Sequence, residues 1–302
     1  MSQAAREGRL AAYLRVARAP FLALPVTLVV LGSATAALDG GFDPVAAGLA
    51  FLGLLALHVS INARNEYRDY QSGVDFETDP TPFSGGSGAL PEGAIDPVAA
   101  RRLATATAVV GALVGAYFLL EVGLVLLPIL VVGAISVLFY TSHLARYGLG
   151  ELFAGLGLGG LPVLGTALVQ VGSITPAMIL ASVPATILTF QLLLLNEFPD
   201  VEADRTGNRK NLIHRLGRPA AGQLYVLAGL AVPASILGGW LLGPLPFWSL
   251  LGAVPSVLLV RPARWALTRP ETELPVDAQR DNVLWILGTN LALALGFGLS
   301  LL

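Results

Sequence analysis

The sequence predicts an all-α integral membrane protein with nine transmembrane helices around a central cavity and a cytoplasmic N-terminus. Three observations predict this class. The 302-residue chain is 55% hydrophobic and 13% charged, with a mean hydropathy of +0.72, whereas a soluble domain carries about 25% charged residues. Its apolar runs are long and continuous, and a run of ~20 apolar residues spans a bilayer as a helix. Every Lys and Arg also falls on one side of the predicted membrane.

The predicted spans are runs without a charged residue. Residues 152–195 and 219–260 are each long enough for two spans, and they are divided by the turn-forming stretches "QVGSITP" and "GGWLLGPLPFW". The nine spans lie near residues 19–38, 44–63, 103–120, 122–141, 152–172, 174–195, 220–241, 245–260 and 282–302.

The distribution of basic residues predicts the orientation. All 18 Lys and Arg lie in the N-terminal tail or in the segments after spans 2, 4, 6 and 8, and the opposite side carries only Asp39, Asp43 and Glu121. Cytoplasmic loops are the basic ones in membrane proteins. We therefore expect one multi-pass domain, residues 1–302, in the cell membrane, with its active site facing the cytoplasm. Two acidic loops, 64–101 and 197–219, would lie on that side.

A short acidic motif occurs twice, each time at the cytoplasmic end of an even-numbered span. Residues 65–75 read "NEYRDYQSGVD" and residues 196–204 read "NEFPDVEAD", so both copies begin Asn-Glu-aromatic-x-Asp. Residues at i and i+4 share one face of a helix, and Gly73 is expected to end the first helix. One acidic cluster could be ordinary capping or solvated loop charge, but two matching copies favour a shared function.

Oxygen ligands in two facing motifs are typical of a Mg²⁺ site. Mg²⁺ takes one or two protein carboxylates and completes its coordination with water and phosphate oxygens. Nearby Arg and Lys side chains would neutralise the remaining charge of a polyphosphate, and Lys210, the only lysine, lies six residues after Asp204. The absence of cysteine excludes disulfides and thiolate ligands.

These features resemble the UbiA superfamily of intramembrane prenyltransferases. The resemblance extends over nearly the whole chain and includes "RVARAPFLALP", "TPFSGGSG" and "FYTSHLARYGLGELFAGLGLGGLPVLG" besides the two acidic motifs. The first motif and "YGLGEL" are most similar to the menaquinone branch, which attaches a polyprenyl chain to 1,4-dihydroxy-2-naphthoate. Many other branches have a tighter DxxxD followed by Arg-Pro, whereas Asp79 is here followed by Pro80 and Thr81.

The resemblance implies a role for each candidate residue. Residues that would ligate Mg²⁺ or position its ligands are Asn65, Asp69, Asp75, Asn196, Asp200 and Asp204. Residues that would bind the diphosphate are Arg18, Arg68, Tyr140, Arg146 and Lys210. The catalytic set would be Asp69, Asp75, Asp200, Asp204 and Tyr140. The substrates would be a polyprenyl diphosphate and an aromatic acceptor in contact with the bilayer. No nucleic acid or obligate protein partner is expected.

Several alternatives remain open at this point. Tyr140 could instead anchor the membrane interface, His58 could be functional or simply packed, and residues 76–95 could be a lid or a surface linker. A related enzyme could use homogentisate, 4-hydroxybenzoate, chlorophyllide or a glycerol phosphate lipid as acceptor. A secondary transporter is the alternative from another class, although its acidic residues would lie near the bilayer midplane.

Overall fold

The fold consists of helices that run back and forth across one bundle. The computed structural model describes residues 8–76, 82–83, 85–139, 143–206, 210–270 and 275–302, without the side chains of residues 145 and 203–206, and this part of the chain contains no β-strand. The α-helices are α1 (Arg9–Val16), α2 (Ala23–Leu38), α3 (Pro44–Ser72), α4 (Pro97–Val122), α5 (Leu127–Phe139), α6 (Gly150–Gly155), α7 (Leu161–Val171), α8 (Pro176–Thr206), α9 (Leu212–Leu216), α10 (Arg218–Leu241), α11 (Val260–Thr268) and α12 (Val276–Leu299). A 3₁₀-helix, Phe247–Leu259, leads into α11.

Eight helical segments in the described part of the chain are long and apolar enough to cross a membrane. They are Ala19–Leu38, Pro44–Ser72, Pro97–Val122, Gly150–Val171, Pro176–Glu202, Arg218–Leu241, Phe247–Thr268 and Val276–Leu299. The predicted fourth span, residues 122–141, corresponds to the apolar helix Leu124–Phe139, which has fewer than 18 described residues; residues 140–142 lie outside the described part of the chain. Nine crossings and a cytoplasmic N-terminus therefore remain predictions.

The opening Asn-Glu-aromatic-x-Asp of both acidic motifs is helical, as its spacing predicts. Helix α3 continues nine residues beyond its predicted apolar span to Ser72 and ends where Gly73 adopts φ 85°. Helix α8 likewise continues through the second motif to Thr206, with Pro199 inside it. The pairs Asn65–Asp69 and Asn196–Asp200 therefore each lie on one helical face.

The largest core lies between α2, α8, α10 and α12. Leu28, Leu188, Tyr225, Trp285 and Phe297 are completely buried there. Outward-facing positions are apolar as well: the exposed large hydrophobic side chains include Leu113, Leu120, Leu227, Leu241 and Val254. An apolar exterior around a packed interior is what a lipid environment requires, because contiguous apolar patches of this kind are rare on soluble proteins.

Part of the loop between α3 and α4 is packed into the protein. Ala89, Leu90 and Ile95 are buried against Val16 of α1 and Ala104 of α4. A solvated surface linker would not bury these residues, so residues 89–95 are a fixed part of the fold. Whether the preceding residues act as a lid stays a prediction.

Close helix packing next to the predicted site depends on glycine. The segment Leu156–Gly160, between α6 and α7, is a π-helical turn against α8, and such turns are frequent at functional sites. A Cβ on Gly159 would collide with the carbonyl oxygen of Ala185. Small residues in this position allow two membrane helices to approach closely.

Candidate active site

A cavity of about 150 Å³ lies inside the bundle, between α2, α3, α6 and α8. The first residue of each acidic motif, Asn65 and Asn196, lines it together with Arg18 and Asn62. Apolar side chains, among them Phe21, Leu24, Phe83, Phe153, Leu158 and Leu192, form most of the remaining wall. The cavity is therefore polar beside the two motifs and mainly apolar elsewhere, which suits an anionic group joined to a hydrocarbon chain.

A four-residue segment, Gly85–Gly86–Ser87–Gly88, connects the two acidic motifs, and we call it the glycine strap. Gly85 donates its backbone N–H to Asp200 Oδ2 at 3.3 Å. A Cβ on Gly86 would lie 2.5 Å from Asp75 Oδ1, so a larger residue there would displace the strap or the carboxylate. The strap therefore passes between Asp75 of the first motif and Asp200 of the second.

Arg18 joins the N-terminal segment to the strap. Its Nε donates to Glu66 Oε1 at 3.0 Å, and its Nη2 donates to the carbonyl oxygen of Gly85. Its backbone is left-handed, at φ 51° and ψ 56°, and no other described non-glycine residue has a positive φ. That conformation costs roughly 1–2 kcal/mol for an L-residue, and such strain concentrates at functional sites.

Glu66 is a site residue that the sequence analysis did not single out. Its side chain is completely buried. Besides Arg18, it accepts hydrogen bonds from the backbone N–H of Ser87, at 2.9 and 3.1 Å to its two oxygens, and from Ser87 Oγ at 2.6 Å. The signal was present in the sequence, because Asn-Glu opens both copies of the motif.

The segment that contains Lys210 is fixed by a second buried acid, Glu151. Its Oε1 accepts the backbone N–H of Leu212 at 2.6 Å. His214 contacts the carbonyl oxygen of Val201 at 2.9 Å through Nε2, which ties this segment to α8. Arg215 donates to the carbonyl oxygens of Tyr147, at 2.7 Å, and Lys210, at 3.4 Å. The loop after α5 and the loop after α8 therefore meet at this point.

The structure places some of the predicted site residues at the cavity or beside the strap, and others away from them. Arg18, Asn65 and Asn196 line the cavity, and the strap links Asp75 with Asp200. Arg68 and Asp69, about one helical turn beyond Asn65, are half-buried. The side chains of Arg146 and Lys210 are exposed. Tyr140 and the side chain of Asp204 lie outside the described residues.

His58 also lines the cavity. Its Nδ1 lies 3.0 Å from the carbonyl oxygen of Leu54, one helical turn earlier, while Nε2 is buried and makes no hydrogen bond to a described residue. One ring nitrogen is therefore satisfied by α3 itself. This arrangement is compatible with both a packing role and a functional role.

The donor atoms beside the cavity are oxygens of the kind that Mg²⁺ prefers. Asn196 Oδ1 is buried and accepts no hydrogen bond from the described residues, so it has an unused lone pair that a bound cation could take up. The described part of the chain holds no group of three or more His, Asp or Glu side chains close enough to enclose a metal by themselves. An ion that keeps water and phosphate oxygens in its coordination needs no such enclosure.

The chain is similar in sequence to known proteins over most of its length. The model of the UbiA prenyltransferase family matches residues 23–288. The 1,4-dihydroxy-2-naphthoate octaprenyltransferase of Escherichia coli (strain K12) is 28% identical, over 97% of this chain and 96% of its own length. The protein of the same name from Bacillus subtilis (strain 168) is 30% identical, over 65% of this chain and 62% of its own.

Two solved structures share the fold. An apo structure of a UbiA homolog from Aeropyrum pernix K1 has a TM-score of 0.69 at 16% identity, over 92% of this chain and 98% of its own. A UbiA homolog from Archaeoglobus fulgidus bound to GPP and Mg²⁺ has a TM-score of 0.60 at 16% identity, over 93% of this chain and 99% of its own. The prenyltransferase prediction is therefore confirmed against the transporter alternative, and the chain belongs to the UbiA prenyltransferase family.

Proposed function

We propose that this protein transfers a polyprenyl group from an allylic diphosphate to 1,4-dihydroxy-2-naphthoate, in a Mg²⁺-dependent reaction at the cytoplasmic boundary of the membrane. The observation that carries the proposal is the meeting of both acidic motifs at one cavity, through Asn65 and Asn196 in its wall and through the glycine strap between Asp75 and Asp200. A head group that carries several negative charges needs cations and metal ligands from more than one direction, and this arrangement supplies them.

The proposed roles follow the position of each residue. Asp69, Asp75, Asp200 and Asp204, with the amide oxygens of Asn65 and Asn196, would hold Mg²⁺. When bound, Mg²⁺ would supply positive charge against the pyrophosphate that develops as the leaving group. Arg18 would bind the diphosphate from the cavity wall, Arg68 would contribute from α3, and Arg146 and Lys210 would contribute from the segments after α5 and α8. Tyr140 would bind it as the resemblance implies. The Mg²⁺ in the Archaeoglobus fulgidus homolog supports this assignment.

The chemistry requires a dry site. The allylic C–O bond breaks, pyrophosphate leaves with the bonding electrons, and the carbocation that remains is captured by an electron-rich carbon of the acceptor ring. With a hydroxynaphthoate acceptor, the ring carboxylate leaves as CO₂ and its bonding electrons restore the aromatic ring. Water would quench the carbocation, so the apolar walls formed by Phe21, Phe83 and Phe153 protect the reaction as well as binding the hydrocarbon.

The identity of the acceptor is proposed from relatives of this chain and from two short stretches of its sequence. Two bacterial relatives that carry the name 1,4-dihydroxy-2-naphthoate octaprenyltransferase support it, one of them over nearly the full length of both chains. The "NEYRD" and "YGLGEL" stretches support the same branch.

One assay tests this function. Purified protein in detergent is incubated with Mg²⁺, geranylgeranyl diphosphate and, in separate reactions, 1,4-dihydroxy-2-naphthoate, homogentisate, 4-hydroxybenzoate, chlorophyllide and a glycerol phosphate lipid. Mass spectrometry identifies the products. We expect a prenylated, decarboxylated product from the naphthoate alone. Turnover of another acceptor in its place would refute the naphthoate assignment but keep the transfer reaction, whereas no product with any acceptor would refute both.

A further inference from the structure

Glu66 has a position that none of the proposed roles explains. It is a carboxylate on α3 with a completely buried side chain, and a buried charge is expensive unless it is paired and hydrogen-bonded. Both of its oxygens are engaged: Oε1 accepts from Arg18 Nε and the Ser87 N–H, and Oε2 accepts from Ser87 N–H and Oγ. With its oxygens already used in this way, Glu66 is poorly suited to be a metal ligand.

The contact with Arg18 determines where that guanidinium points. A guanidinium has five N–H donors in a planar fork. Arg18 directs one at Glu66 and one at the carbonyl oxygen of Gly85, which leaves three donors on a side chain that lines the cavity. Two fixed contacts also hold Arg18 in its left-handed backbone conformation. The orientation of Arg18 therefore depends on contacts outside its own segment.

The contact with Ser87 fixes the glycine strap at the same point. Ser87 binds Glu66, and Gly85, two residues earlier, binds Asp200 through its N–H. Arg15 adds a hydrogen bond to the Ser87 carbonyl oxygen at 2.8 Å. A continuous series of contacts therefore runs from Glu66 through Arg18 and the strap to the second acidic motif, with Glu66 as the one member that is entirely removed from solvent.

We infer that Glu66 is a positioning residue, which is held by Ser87 of the glycine strap and orients the Arg18 guanidinium toward the diphosphate. The inference deepens the proposed function and rests on it, because it takes a diphosphate as the group that Arg18 meets. Glu66 itself touches neither substrate nor metal. Its effect on diphosphate binding should therefore pass through Arg18, and it should have little effect on the aromatic acceptor.

The test measures binding of inorganic pyrophosphate with Mg²⁺ by calorimetry on the full-length protein in detergent. The variants are Glu66→Gln, which keeps the size of the side chain and removes its charge, Arg18→Ala, and the double variant Glu66→Gln/Arg18→Ala. We expect Glu66→Gln to weaken pyrophosphate binding at least tenfold and to leave the KM for the acceptor within twofold. The double variant should bind pyrophosphate within twofold of Arg18→Ala.

The chain offers a matched control in Glu92→Gln. Glu92 lies in the same loop as the strap and forms an ion pair with Arg15 of α1 at 2.8 Å, but its side chain is 55% exposed. We expect pyrophosphate binding of this variant within twofold of wild type. If Glu66→Gln does not fold, Ser87→Ala removes only the hydroxyl contact at 2.6 Å and should weaken binding about two- to fivefold, whereas unchanged binding in that variant would count against the inference.

The outcomes separate the inference from the proposed function. Wild-type protein that binds pyrophosphate, combined with a Glu66→Gln variant that binds it equally well, overturns the inference alone. So does a double variant in which the two losses multiply, because Glu66 would then act independently of Arg18. An equal rise in the KM of both substrates would indicate a purely structural role. Wild-type protein that binds no pyrophosphate with Mg²⁺ overturns the proposed function, and the inference with it.

Discussion

Gly85 donates its backbone N–H to Oδ2 of Asp200 across 3.3 Å, although the two residues are 115 positions apart in the chain. This hydrogen bond joins the loop after the first acidic motif to the helix that carries the second. It brings the glycine strap next to a carboxylate that we propose as a metal ligand. The geometry of the site therefore depends on backbone contacts as well as on the acidic side chains.

The strap should not tolerate a side chain at Gly86. A Cβ there would lie 2.5 Å from Asp75 Oδ1, so Gly86→Ala must displace either the strap or the carboxylate. We expect the rate of prenyl transfer to fall about tenfold or more, because small misplacements at a reacting site are costly. The measurement is the initial rate with geranylgeranyl diphosphate, together with the unfolding temperature in detergent.

Gly48→Ala is the control for this substitution. Gly48 lies in α3 with nothing within 4 Å of an added Cβ, and alanine is favoured over glycine in a helix. This variant should keep its activity and its unfolding temperature. Equal activity in Gly86→Ala and wild type would mean that the strap does not support Asp75.

The positions of the spans and of the acidic motifs could be predicted from the sequence, since both depend on local patterns. Runs of apolar residues predict the positions of the spans, and Gly73 predicts where α3 ends. The predicted span 122–141 corresponds to the apolar helix Leu124–Phe139, which begins directly after Gly123, and its full crossing stays a prediction.

The role of Glu66 could not be predicted from local patterns. Its partners, Arg18 and Ser87, lie 48 and 21 residues away in the chain, and no periodicity connects them. The left-handed backbone of Arg18 was equally unforeseen, because glycine, and not arginine, is the residue that usually marks such a conformation. Long-range hydrogen bonds to a buried charge become visible only in the folded chain.

The orientation of the protein can be tested by labelling, because the chain has no cysteine. Gln71, at the end of α3, and Phe42, between α2 and α3, are both exposed. In inside-out and right-side-out vesicles, Gln71→Cys and Phe42→Cys should react with a membrane-impermeant maleimide from opposite sides, with Gln71→Cys on the cytoplasmic side. Reaction of both from the same side would contradict the predicted topology.

Glu151 should contribute to stability through its contact with the segment after α8. It is completely buried, and its Oε1 accepts the Leu212 N–H at 2.6 Å. Glu151→Ala leaves that backbone donor without its acceptor, at a cost of about 1–3 kcal/mol in the free energy of unfolding. Glu151→Gln keeps an acceptor oxygen and should lose less. Equilibrium unfolding in mixed detergent micelles measures both, and equal losses would show that the hydrogen bond is not the cause.

The two acidic motifs should each be necessary for activity. We expect Asp69→Ala and Asp200→Ala each to lower kcat about 100-fold or more, because one lost electrostatic contact in a site of low dielectric costs roughly 3 kcal/mol. Both proteins should remain folded, since these side chains are only half-buried. The measurement is steady-state prenyl transfer at saturating substrates. Arg264→Ala, in α11 and outside the proposed site, is the control and should stay within a few-fold of wild type.

Removal of Mg²⁺ tests the same site without changing the protein. EDTA should abolish prenyl transfer by the wild type, and an excess of Mg²⁺ should restore it, because the phosphate charge then again has its counter-ion. Asp200→Ala should need a higher Mg²⁺ concentration for half-maximal activity than the wild type, since it offers one ligand fewer. Arg264→Ala should show the wild-type Mg²⁺ dependence. Wild-type activity that persists in EDTA, or an Mg²⁺ requirement that Asp200→Ala leaves unchanged, would show that the acidic motifs do not act through a divalent cation.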